Sequence, residues 1–261
     1  MTADSRVALV TGGTRGLGRA VTAKLARSGV PVAAAFAHDR DAAQAMQDAC
    51  QSSGATLTLH QADVGDPASC QRLVDEVLDR HGRLDYLVNN AGMVVEQRYG
   101  DVSVDDWQRH LAVNLSSAFY LTQAALDHMI ERGFGRIVNI VSRSVKAPHA
   151  ELGLSNGARS GLIGFVAGLA RQTVRHNVTI NNLLPGAFAT DAQVRHIQGL
   201  VEQSGQPFEK LWEERGRANP AGRYGQPEEL GALCAYICSM HTGYMTGQNI
   251  LIDGGGYPGT Y

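Results

Sequence analysis

The sequence predicts a doubly wound α/β domain, a parallel sheet of seven strands flanked by helices on both faces. Three observations lead there. Short β-branched or apolar runs alternate with longer amphipathic segments along the 261 residues, the rhythm of repeated strand–helix–strand units. At 44% hydrophobic content, a chain this long can bury roughly three quarters of its unfolded surface in a single core. No internal repeat, low-complexity tract or Pro/Gly linker divides it, so residues 1–261 read as one domain.

Strands are expected at 7–11, 32–36, 56–61, 84–89, 137–141, 179–184 and 249–252, each a short apolar or β-branched run. Helices are expected at 16–28, 40–52, 67–81, 104–132, 158–176 and 227–239, where the segments are longer and amphipathic. Residues 192–218 are richer in Gln, Glu and Arg and break the rhythm. They read either as a helical insertion over the functional site, within 187–218, or as an ordinary surface excursion.

A net charge of −2 and a pI near 6.5 give no bulk attraction to nucleic acid or to an anionic membrane. Small molecules and further copies of the chain are the partners this implies. Residues 1–6 are short and polar, and no apolar run reaches the length that crosses a bilayer, so a cytoplasmic location is expected. Cys50, Cys70, Cys234 and Cys238 are too scattered for a disulfide framework. Cys234 and Cys238 stand one helical turn apart in an apolar segment and read as core packing; as a metal pair they lack a nearby His or Cys to complete a tetrahedral set.

The first chemical signal lies at 7–18, where an apolar strand runs into a glycine-rich turn and then a helix. Gly12, Gly16 and Gly18 let the backbone approach a pyrophosphate, and the helix start offers free N–H groups and a positive dipole end. The strand before and the helix after supply the context of a Rossmann-type dinucleotide site. The spacing, a glycine, three residues and then Gly-x-Gly, resembles that of the short-chain dehydrogenase/reductase family, in the manner of its 3-oxoacyl-carrier-protein reductases. That resemblance covers nearly the whole chain. Asp63 and Val64 resemble the family's adenine-contacting pair, and Asn89, Asn90, Ala91 and Gly92 its Asn-Asn-Ala-Gly after the fourth strand. Asn114 matches its helix-kinking asparagine and Ser142 its substrate-orienting serine. Residues 185–190 match the segment that holds the nicotinamide carboxamide, and 252–255 the end of the last strand. The resemblance implies cofactor contacts at Gly12, Thr14, Arg15, Gly16, Leu17, Gly18, His38, Arg40, Asp63, Val64, Asn90, Ala91, Gly92, Arg159, Pro185, Gly186, Phe188 and Thr190.

Cofactor choice turns on the end of the second strand, where a carboxylate would hydrogen-bond the ribose hydroxyl of NAD. Phe36 and Ala37 stand there, followed by His38, Asp39 and Arg40. Arg15 and Arg40 offer partners to a 2′-phosphate, which favours NADPH; a small register shift would bring Asp39 to the ribose instead.

The sequence departs from the family thirteen residues after Ser142, where a tyrosine and, four residues later, a lysine would protonate the carbonyl. Here the pair reads Ser155 and Arg159, a register supported by the small-residue helix that continues from Ser160 to Phe165. A phenol with a reference pKa of about 10 is a workable acid; an aliphatic hydroxyl is far weaker, and an arginine does not pass protons. General acid–base groups contribute about a hundred- to ten-thousandfold, so their loss slows carbonyl reduction without forbidding it. Replacement donors are His149, Lys146 and Glu151 in the loop after Ser142, a water held by Ser142 and Ser155, or an acidic hydroxyl on the substrate; His149, which titrates nearest neutrality, is the first choice.

Two function classes follow. One is an NADPH-dependent ketone or enone reductase with Asn114, Ser142, Ser155, Arg159 and His149 as site residues; the other binds the nucleotide without redox turnover, as a sensor, partner subunit or non-redox lyase or isomerase. The retained serine, asparagine and cofactor framework favour the first. Residues 94–99, 146–154 and 187–217 are expected to line the pocket. The aromatic C-terminus, with Tyr257 and Tyr261, together with the family resemblance, points to a homotetramer or homodimer.

Overall fold

The structure is a computed structural model describing residues 6–260; Tyr261 and the first five residues lie outside them. Seven strands, β1 (Ala8–Thr11), β2 (Val32–Phe36), β3 (Leu57–Gln61), β4 (Tyr86–Asn89), β5 (Gly135–Ile140), β6 (Val178–Pro185) and β7 (Asn249–Ile252), pair in parallel in the order β3-β2-β1-β4-β5-β6-β7. Nine α-helices join them: α1 (Gly16–Arg27), α2 (Arg40–Ser52), α3 (Pro67–His81), α4 (Val104–Leu111), α5 (Ser117–Glu131), α6 (Gly153–Thr173), α7 (Asp191–Ser204), α8 (Phe208–Arg217) and α9 (Pro227–Ile237). No helix among the described residues is long and apolar enough to cross a membrane.

Because successive strand side chains point to opposite faces, Leu9 packs toward α3, α5 and α6, whereas Ala8 and Val10 pack toward α1, α2 and α9. All four cysteines are buried and free, and Cys234 and Cys238 belong to the second of these layers. Local chemistry sets the helix starts. Asp66 accepts from the amides of Ala68 and Ser69 ahead of Pro67, and Ser103 and Asp106 close a reciprocal cap on α4.

Several elements begin or end one or two residues from the sequence expectation, and two differences bear on the site. The helix at 104–132 is interrupted by a π-helical turn, Ala112–Ser116, which widens the backbone around Asn114. The helix expected from 158 begins at Gly153, placing Ser155 and Arg159 one turn apart on the same face. The stretch at 187–218 folds as α7 and α8.

A row of asparagines crosses the sheet. Asn89 Nδ2 donates to Asn139 Oδ1 at 2.8 Å, Asn139 Nδ2 to Asn182 Oδ1 at 2.9 Å, and Asn182 Nδ2 to Asn249 Oδ1 at 2.8 Å. The same residues are register partners across β4, β5, β6 and β7. A one-residue slip would turn the buried amides of Asn89, Asn139 and Asn182 to the other face and break their pairing.

At the opposite edge, Thr58 Oγ1 lies 2.9 Å from His60 Nε2 and 3.1 Å from His81 Nε2, while His60 Nδ1 lies 3.1 Å from Glu76. One hydroxyl has one proton to give, so one ring nitrogen accepts and the other donates.

Asn139→Ala should strand Asn89 Nδ2 and Asn182 Oδ1 and destabilise the fold by about 2–4 kcal/mol, read by urea unfolding. Stability should also depend on pH. Burial, followed by the charges of His60 and Arg80, lowers the His81 pKa, and burial, followed by Arg132, lowers that of His128. The unfolded chain therefore binds more protons below a histidine's ordinary pKa of about 6.5. The melting temperature is expected to hold above that pH and fall as pH drops through it toward the lowered folded values, with a shallower fall in His81→Gln.

Candidate active site

A cleft of 770 Å³ opens at the carboxyl ends of the strands, beside β1 and β4, where the chain order reverses. Gly12 (φ +60°) and Gly16 (φ +52°) hold left-handed backbone there. Arg15 precedes α1 without a side-chain cap, and no acidic residue stands in the first turn, so the N-terminal amides of α1 remain available to an anion. Gly18 does not line the cleft but supports it: a Cβ would collide with the Gly12 carbonyl oxygen and with Asn90 Nδ2. Asn90 Nδ2 in turn donates to Thr11 O and Gly12 O, pinning the turn to the end of β4.

Most of the residues singled out from the sequence meet on this wall. Gly12, Thr14, Arg15, Gly16, Leu17, His38, Asp63, Val64, Asn90, Ala91, Gly92, Ser142, Arg159, Pro185, Gly186 and Thr190 all line the cleft. Arg40 does not; it turns outward to Gln61 Oε1 at 2.7 Å, and Asp39 takes the place beside the cleft, bound to Arg15 at 2.9 Å. As the N-cap of α2, Asp39 accepts from the Ala42 amide, which orients it. Phe188 is also turned away, buried in the layer under α9 and closing on Gly225.

At the other end, β5 delivers Ser142 and α6 delivers Arg159. Arg159 is 8% exposed, and burial alone lowers its pKa to about 10, so it stays cationic at neutral pH. Its Nη1 donates to Ile140 O at 2.9 Å and to Val141 O at 2.6 Å, and its Nε donates to Ser155 Oγ at 3.1 Å. Nη2 reaches Asn114 Oδ1 at 3.4 Å. Ser155, 1% exposed, is sealed beneath the guanidinium and does not line the cleft. Asn114 is likewise buried off the wall, accepting from Met93 N at 3.0 Å and donating to Met93 O at 2.9 Å. Ser142 Oγ accepts from Ser144 N at 3.1 Å, which leaves its own proton to give.

His149 is exposed, and neither it nor Lys146 nor Glu151 lines the cleft. Lys146 lies over the Tyr257 ring instead. Sequence reasoning missed Met93 and Arg109, although Arg109 stands one turn before Val113 and shares its face. From the stretch expected to cover the site, α7 contributes Asp191, Ala192 and Arg195. Its next residue, His196, lies 3.3 Å from Glu96 and 3.2 Å from Arg215 Nη1, tying α7 to the loop after β4 and to α8.

The family model described as enoyl-(acyl carrier protein) reductase matches residues 12–256. Nodulation protein G of Azospirillum brasilense is 34% identical over 254 residues, covering 97% of this chain and 98% of that protein. An acetoacetyl-CoA reductase of Allochromatium vinosum is 32% identical over 262 residues, covering 96% and 98%. Among solved structures, a variant of an actinorhodin polyketide ketoreductase with NADPH superposes with a TM-score of 0.93 at 28% identity, covering 100% of this chain and 99% of that one.

A Cβ on Gly92 would stand 2.9 Å from Arg159 Nη2 and 3.0 Å from Asn114 Oδ1, prising the two apart. Gly92→Ala is expected to cost about 1–3 kcal/mol in urea unfolding, although the position is exposed.

Proposed function

Because the chain belongs to the short-chain dehydrogenase/reductase family, whose members bind NAD(P), we propose that it is an NADPH-dependent reductase of a ketone or enone. The observation that carries this reading is the meeting of the glycine turn, Ser142 and Arg159 on one cleft wall. The residues there suit a dinucleotide: the uncapped α1 amides and the left-handed glycines suit its pyrophosphate, Asp63 and Val64 its adenosine, and Pro185, Gly186 and Thr190 its nicotinamide end. When bound, that cofactor supplies a hydride.

The chain's own residues do the rest. Ser142 gives its hydroxyl proton as a hydrogen bond to the substrate oxygen. Asn114, fastened to the Met93 backbone, acts as a positioning residue that steadies Arg159 and the loop after β4. Ser155, the paired hydroxyl of the sequence reading, sits behind Arg159 and serves to fix its Nε.

NADPH is favoured by Arg15. Its pair with Asp39 is half-exposed and worth at most about 1 kcal/mol, so a 2′-phosphate dianion displaces the carboxylate. The solved ketoreductase that holds NADPH supports the same choice.

A second reading, nucleotide binding without redox turnover, is favoured by one observation: Ser155 is buried, and Arg159 is fastened to backbone carbonyls, so the pair holds no mobile proton. Mixing purified protein with NADPH and a panel of ketones, quinones and enones separates the two. NADPH consumption with any of them is the expected result; tight NADPH binding without oxidation across the panel favours the second reading.

Arg15→Ala should weaken NADPH binding about tenfold to a hundredfold while leaving NADH within about threefold, measured by nicotinamide fluorescence. Asp39→Asn should shift the preference further toward NADPH. His149→Ala is expected to leave kcat/KM within about twofold and its pH profile unchanged, because the ring stands off the cleft.

A further inference from the structure

Arg159 is a buried cation that no carboxylate neutralises. Among the described residues no ion pair reaches it, and desolvation is the sole influence that lowers its pKa. Four of its five N–H groups are taken up by Ser155, Ile140 O, Val141 O and Asn114. The fifth remains on Nη2, beside Gly92 on the cleft wall. Val141, whose carbonyl oxygen holds Nη1 at 2.6 Å, directly precedes Ser142, whose hydroxyl proton is also free. The fork is thus fixed before any ligand arrives, and two donors remain at one end of the cleft.

We propose that Arg159 and Ser142 form a preorganised oxyanion site, which holds the reacting oxygen as an anion instead of protonating it, and whose ligands are delocalised oxyanions: enolates, phenolates and enolised 1,3-diketones. The physical case is electrostatic. A fixed cation that is itself buried attracts an oxygen anion more strongly than it does in water, and at no reorganisation cost. Every N–H of the guanidinium but one is held by a protein oxygen, so at neutral pH it serves as a fixed, charged hydrogen-bond donor. An alkoxide is basic enough to take a proton from the guanidinium or from water and does not persist, whereas an enolate or phenolate spreads its charge, is far less basic, and persists until it leaves and is protonated by water. The substrate class narrows accordingly, toward enones and other carbonyl compounds whose reduced or enolised oxygen is stabilised by conjugation. This inference rests on the reductase reading for which end of the cleft meets the substrate.

The test uses 4-nitrophenol, whose phenolate absorbs apart from the phenol, titrated with the full chain across pH. The bound probe should ionise at lower pH than the free one, with the phenolate held at least about tenfold tighter than the phenol, equivalent to one pKa unit. Ser142→Ala and Arg159→Met should reduce that preference, and Arg159→Lys should restore part of it. If Arg159→Met fails to fold, by circular dichroism, the wild-type chain and Ser142→Ala still decide. A bound probe that ionises at the same or higher pH overturns the proposal, as does absence of saturable binding or a shift that Ser142→Ala leaves intact. NADPH binding is followed in parallel by fluorescence. Bound NADPH with an unshifted probe removes the oxyanion site and leaves the reductase reading; a shifted probe without NADPH binding does the reverse.

Discussion

The register of four parallel strands depends on a row of amide side chains. Asn89, Asn139, Asn182 and Asn249 form a continuous hydrogen-bonded line across four strands of the sheet, and each link requires its neighbour at one height. Buried amides are costly when unpaired, so the line acts as a ruler across the sheet. The carboxyl ends of those strands carry Asn90 and Gly92, Ser142, and Pro185 and Gly186. Holding four strands in step therefore holds the cleft wall in step. At one end of the line Asn89 Oδ1 has no hydrogen-bond partner among the described residues, and there the ruler stops beside β1.

The second constraint is the Arg159 guanidinium. Removing a cation from water costs several kcal/mol, and here the cost is offset by backbone carbonyls of β5, not by an acid. Those carbonyls belong to Ile140 and Val141, immediately before Ser142, so the same bonds that make the charge tolerable also brace the serine. Asn114, set in the widened π-turn, links this brace to the loop after β4 through Met93. Arg159 is thus a rigid strut that carries a fixed charge beside Ser142.

Beside the cleft stands a different kind of contact. Glu96, His196 and Arg215 join the loop after β4, α7 and α8 through half-exposed polar groups, which water competes for and which can yield when ligand enters. Arg159 is buried and held to backbone carbonyls, whereas the contacts of His196 are partly exposed and polar. That contrast suits a site which keeps its donors fixed while admitting a small molecule.

Much of this was legible in the residue order. The alternation of apolar runs with amphipathic segments places β2, β7, α2 and α3 at their observed bounds, because strand and helix periodicities are local properties of the chain. The glycine turn was equally plain, since the left-handed backbone at positions 12 and 16 strongly favours glycine. The spacing of Ser155 and Arg159 from Ser142 could be counted. Their orientation could not: whether Ser155 faces a ligand or lies beneath a guanidinium depends on where α6 begins and how it rolls against β5. Likewise Asp39, not Arg40, borders the cleft because the cap of α2 fixes one side chain inward and sends the next toward Gln61. Sequence by itself determined which elements form and which residue types cluster near the turn, for these follow from periodicity and backbone tolerance. Tertiary structure alone decided which side chains share the cleft and where the buried charge finds its partners, because both depend on contacts between segments far apart in the chain.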